Sequence, residues 1–150
     1  MSQRISVLDR VPRALDNDND LIDLVQELFR LDRRRAIDIL GGTTTTAYRR
    51  IHEYLAPALD RALEIARRGA EDLQRFRGHI LLDLTRSLIL IKYQSSRNQI
   101  SDPLARALTD IISRLQNEIR RGGSPETIQR LIERARVLID SFAVLAYEYG

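Results

Sequence analysis

The chain has 150 residues, enough for one domain around one core, and its 43% hydrophobic and 30% charged residues describe a globular chain and not a disordered one. Cysteine is absent, which excludes a disulfide framework, a thiolate zinc site and a thiol nucleophile. The net charge is only +3, and no run of 18 or more apolar residues exists, so a membrane span is not expected.

MSQRISVLDRVPRALDNDND opens the chain without the apolar stretch of a signal peptide, so a cytoplasmic location is expected, with residues 1–18 as an irregular segment. Beyond it the 3.6-residue period dominates and strand signals are nearly absent. A first helix is predicted over 19–40, with Leu21, Leu24, Val25, Leu28, Phe29, Ile37 and Leu40 as its apolar positions. Asp18 or Asn19 can cap its start, and Gly41 stands where a left-handed residue would close it. A second helix begins in GGTTTTAYRR at 41–50 and runs to Arg68. Pro57 lies inside it, lacks the N–H for the residue 53 carbonyl, and predicts a kink or a split.

A third helix is predicted over 70–98, with Leu73, Phe76, Ile80, Leu84, Leu88 and Ile91 on one face. A fourth opens at SDPL, with Ser101 as cap and Pro103 in the first turn, and runs to Arg120. GGSPE at 122–126 repeats that device and starts a fifth helix over 125–148. The expected architecture is all-α: a single-domain bundle of about five helices.

The charge is unevenly placed. Residues 1–42 carry −1, residues 43–100 carry +4 and residues 101–150 carry zero. Of the 24 basic residues only Lys92 is lysine, and arginine offers a planar fork of donors suited to phosphate. The missing cysteine and the single methionine fit a heat-adapted source.

Enzyme signatures are scarce. His52 and His79 have no second histidine at i+3 or i+4, and no H-E-x-x-H, G-x-S-x-G or phosphate-loop motif occurs. The carboxylates spread along helix surfaces, as in Asp60 and Glu64 beside Arg61, Arg67 and Arg68, where i,i+4 pairing is their ordinary role. The Arg49/His52 and Arg75/His79 spacings are too short for the Arg–His pattern of helical HEPN-type ribonucleases. The expectation is a protein that is not an enzyme and takes no metal and no cofactor.

Arg75, Arg86 and Arg97 recur every eleven residues, which returns each to within about 20° of one direction at ~16 Å steps along a helix. That spacing is too wide for mutual pairing and suits phosphates along an extended strand. His79, Leu82 and Tyr93 share the stripe, and an aromatic among basic groups suits base stacking. IKYQSSRNQIS at 91–101 adds Lys92, Tyr93 and Arg97 in a polar patch without an acid. Thr44 or Thr45 can cap the second helix; the remaining threonines, the free first-turn N–H groups, Arg49 and Arg50 would form a phosphate seat.

Three segments carry a family resemblance: TTTTAYRRI at 43–51, LILIKYQSSRNQIS at 88–101 and FAVLAYEYG at 142–150. In order and spacing over residues 20–150 the chain resembles the small subunit of type III-A CRISPR effector complexes, the Csm small subunit. It is also similar in size and character to small helical subunits of the Cmr and type I-A complexes. The resemblance implies a non-catalytic subunit of a CRISPR ribonucleoprotein in antiviral defence, whose copies stack as a filament and touch guide and target RNA through phosphates. Other effector subunits and further copies of the chain are then its protein partners. Arg49, Arg50, Lys92 and Arg97 match the basic positions of the family; Arg75 and Arg86 come from the stripe alone. The GGSPE link and the VPRALDNDND extension depart from the family pattern. A helical protein–protein adaptor without a nucleic-acid role is the competing expectation.

Overall fold

The computed structural model describes residues 6–150. Seven α-helices and no strand occur among the described residues: α1 (Val11–Asp16), α2 (Asp18–Phe29), α3 (Arg33–Leu40), α4 (Thr45–Arg68), α5 (Ala70–Ser96), α6 (Asp102–Arg120) and α7 (Pro125–Tyr149). A short 3-10 turn, Val7–Arg10, precedes α1. The four long helices close a ring in which α4 touches α5 and α7, and α6 touches the same two neighbours. Helices α1 to α3 form a second layer on α6 and α7, so α5 faces away from that layer. Among the described residues no helix is long and apolar enough to cross a membrane.

The count of seven corrects the expected five at the N-terminal side. Residues 7–16 are helical and not irregular: Val11, Ala14 and Leu15 are buried in the common core. Their short apolar i, i+3, i+4 pattern lacks the length that makes a helix legible, and burial supplies what propensity does not. Residues 1–5 lie outside the described residues. The helix expected over 19–40 is two. Asn17, not Asp18 or Asn19, caps α2 by accepting the Asp20 N–H at 2.8 Å. Asp32 breaks the run, accepting the Arg35 N–H at 2.9 Å and capping α3. A short carboxylate gains more from a cap than from a helix interior. The break leaves Phe29 and Ile37, expected as core, exposed, and turns Ala36, Ile39 and Leu40 inward.

The left-handed residue after α3 is Gly42, with φ 83°, and not Gly41. Gly41 is required for another reason: a Cβ there would lie 2.8 Å from the Ile37 carbonyl oxygen. Helix α4 is capped by the Thr44 hydroxyl, which accepts the Ala47 N–H at 3.1 Å. It passes Pro57 unbroken, so the expected split does not occur. Pro57 and Glu53 are both exposed, so water can serve the carbonyl that the proline leaves unbonded. Ser101 and Ser124 cap α6 and α7, each with proline in the first turn, as their sequences predict.

Candidate nucleic-acid interface

Helix α5 buries Leu73, Ile80, Leu84, Ser87, Ile91 and Gln94 along one side. The opposite side presents Arg75, His79, Leu82, Arg86, Ile89, Tyr93 and Arg97 to solvent. The eleven-residue stripe is therefore on the outer face of the bundle. Asp83 is the only acid between Leu73 and Ser101, and it turns toward α4, 3.3 Å from Arg61. The outer face of α5 from Arg75 to Arg97 thus carries cations and no carboxylate.

Arg49, Arg50, Arg75, Arg86, Lys92 and Arg97 make no ion pair among the described residues, whereas Arg61, Arg67, Arg68, Arg134 and Arg136 each meet a carboxylate. The free cations are held by other means. Arg97 lies 5.3 Å from the Tyr93 ring centroid and donates to the Tyr93 hydroxyl at 3.2 Å. Arg75 lies 5.4 Å from the Phe76 ring. Lys92 and Tyr93 border a largely apolar groove of about 790 Å³ between α5 and α6, with Arg106 on its far rim. Arg33, Arg34 and Arg35, a basic run the sequence reading passed over, are exposed at the start of α3.

The threonine run is divided among four tasks. Thr43 is buried and accepts the Ser101 N–H at 2.8 Å. Thr44 is the cap. The Thr45 hydroxyl reaches the Ala146 carbonyl of α7 at 3.4 Å. Thr46 is exposed. Arg49 and Arg50 also diverge: Arg49 stands over the Tyr147 ring of α7 at 5.6 Å, while Arg50 faces the end of α5. The single phosphate seat expected from Thr44, Thr45, Arg49 and Arg50 is therefore split between two sides of α4.

On the α5 side the parts do meet. Helix α5 ends at Ser96 with Arg97 as its C-terminal cap, and Asn98 takes the left-handed conformation with φ 56°. The Asn98 N–H donates to Ser95 and the Gln99 N–H to Gln94 at 2.9 Å, the bonding of a Schellman turn. The Gln99 carbonyl then accepts the Thr44 N–H at 2.8 Å. The result is a shallow cup of about 190 Å³ lined by Thr44, Thr46, Ala47, Arg50, Gln94, Arg97 and Gln99, with no carboxylate in its wall. Sequence reasoning places Gln94 and Gln99 only within the polar patch at 91–101 and Thr46 only among the remaining threonines, and singles out none of them as a site residue. Gln94 had a legible signal, a polar residue in the buried register of Leu73, Ile80, Leu84 and Ile91.

The histidines sit apart from this cup. His52 bonds Asp140 of α7 at 2.8 Å, and Arg136 meets the same carboxylate. Between them Tyr48 is fully enclosed and donates its hydroxyl to the Ile139 carbonyl at 2.6 Å. Burial, then the nearby Asp140 charge, pushes the Tyr48 hydroxyl well above its usual pKa, so it remains a donor. No group of three or more His, Cys, Asp or Glu side chains that could hold a metal occurs among the described residues. No protein-family model, no curated protein and no solved structure matches this chain.

Proposed function

We propose that the chain is a non-catalytic small subunit of a cytoplasmic CRISPR ribonucleoprotein effector complex, related to the Csm small subunit, that holds guide and target RNA by their backbones. The observation that carries this reading is the outer face of α5, where Arg75, Arg86 and Arg97 stand without an ion pair and without a carboxylate among them, with Lys92, also free of an ion pair, beside them at the groove toward α6. The three segments that resemble the family support it, and two of them, 43–51 and 88–101, form opposite walls of the cup. Contacts of this kind position a strand without reading its bases. Fluorescence anisotropy with two unrelated single-stranded RNAs tests it. Four phosphate contacts to single-stranded RNA give a slope of log affinity against log salt near −3. Equal affinity for both sequences is the expected result; no binding at low salt counts against the reading.

A second reading, a protein–protein adaptor, draws support from one observation. Leu82 is 48% and Ile89 63% exposed on the same face of α5, which makes that helix apolar on two sides. Within an effector complex such residues fit neighbouring subunits or further copies of the chain. Without nucleic acid they would define an adaptor, and the same anisotropy experiment separates the two.

A further inference from the structure

We infer that the cup between the start of α4 and the end of α5 is a binding site for one phosphate group, and, resting on the nucleic-acid reading above, that a backbone phosphodiester is its occupant. Three independent sets of donors converge there. The N–H groups of Thr45 and Thr46 have no partner among the described residues and stand at the positive end of a 24-residue helix, and of the two residues Thr46 lines the cup while Thr45 adjoins it. Arg50 and Arg97 approach from the two walls, and neither meets a carboxylate. Their planar forks of donors can meet phosphate oxygens bidentately.

Gln94 is the third and most telling part. It is 3% exposed and lines the cup, and its side-chain amide makes no hydrogen bond among the described residues. Yet among the described residues no fully enclosed side-chain nitrogen or oxygen is left without a partner. The small remaining exposure of Gln94 therefore belongs to its amide, and the space it opens onto is the cup. A glutamine in the buried register of α5, with no partner in the protein, must take its partner from that cup, water or a ligand acceptor. The exposed Thr46 hydroxyl adds a donor at the rim.

The test uses inorganic phosphate and the full chain labelled with ¹⁵N, against chloride at matched ionic strength. Saturable shifts of the Thr45 and Thr46 amides and of the Gln94 side-chain NH₂, specific to phosphate, are the expected result. Arg50→Ala and Arg97→Ala, both at exposed positions, should each weaken phosphate binding about tenfold while the fold stays intact. Gln94→Leu should do the same, with thermal unfolding as its control. Shifts that chloride reproduces, or that survive both arginine substitutions, overturn the site. Single-stranded RNA is then added. Displacement of phosphate by RNA supports a phosphodiester as the occupant. Phosphate binding that RNA does not disturb overturns that assignment and leaves a site for free phosphate. Salt-dependent RNA binding with no phosphate shifts overturns the cup and leaves the broader nucleic-acid reading standing.

Discussion

The Thr44 N–H donates to the Gln99 carbonyl at 2.8 Å, and this bond fastens the start of α4 to the turn that ends α5. Beside it the Thr43 hydroxyl accepts the Ser101 N–H, and the Ser101 hydroxyl donates to the Ile39 carbonyl. The ends of α3 and α5 and the starts of α4 and α6 are thus joined through threonines and a serine. Thr43→Val removes the acceptor for a buried N–H and should cost about 1–3 kcal/mol. For a chain of this size each kcal/mol lowers Tm by roughly 2–4 °C. Thr46→Val, at an exposed position, should leave Tm unchanged within error, and calorimetry of the two variants compares them directly.

Arg49 and Arg50 are adjacent in sequence and serve different sides of α4. Arg50→Ala should weaken RNA binding more than Arg49→Ala. Loss of Arg49 should show instead in stability, by about 0.5–1 kcal/mol for an exposed cation–π contact with Tyr147. Anisotropy and thermal melts on both single variants measure the separation. Equal losses of affinity would contradict the division.

The α5 stripe makes a different prediction. Arg75 and Arg86 are ~16 Å apart on one helix face and share no partner, so their substitutions should act additively. Arg75→Ala and Arg86→Ala should each reduce the magnitude of the salt slope by about 0.7, and the double variant by about twice that. Circular dichroism should be unchanged, because both side chains are exposed.

The N-terminal helix is a structural element and not an appendage. Leu15 is enclosed between the two layers, and Leu15→Ala should cost about 2–5 kcal/mol. A chain beginning at residue 19 should unfold at a much lower temperature than the full chain. An unchanged melting curve would restore the view of this segment as an irregular extension.

Tyr48 sets an alkaline limit. Its folded pKa is raised, so the stability tied to its proton is complete below the unfolded value near 10 and is lost as pH rises above it. Tyr48→Phe should cost about 1 kcal/mol at neutral pH by removing the bond to the Ile139 carbonyl. The same variant should lose less stability than the parent between pH 9 and 11, which denaturant titrations at those pH values would resolve.

The long amphipathic helices were legible because each repeats its apolar period over many turns, and the Ser-Pro starts of α6 and α7 carried their own signals. Asp32 was harder to read. Its capping bond competes with a helical continuation that the apolar pattern of 19–40 also allows, and only packing of Ala36, Ile39 and Leu40 decides between them. The outward position of Arg75, Arg86 and Arg97 followed from spacing alone, while the cap was narrowed only to Thr44 or Thr45 and the structure selects Thr44. The cup did not follow from spacing, because it depends on a tertiary bond between Thr44 and Gln99. One-dimensional reading placed Thr45 and Arg49 with Arg50, since a helix surface 100° per residue wide separates neighbours that sequence keeps together.

The central claim is that unpaired cations on α5 and at the start of α4 hold an RNA backbone. The most direct measurement is the salt dependence of anisotropy for two unrelated single-stranded RNAs with the parent chain and with the Arg50→Ala/Arg97→Ala double variant. The account predicts equal affinity for both RNAs, a slope near −3 for the parent and a shallower slope with at least tenfold weaker binding for the variant. Identical curves for parent and variant, or strong preference for one sequence, would contradict it.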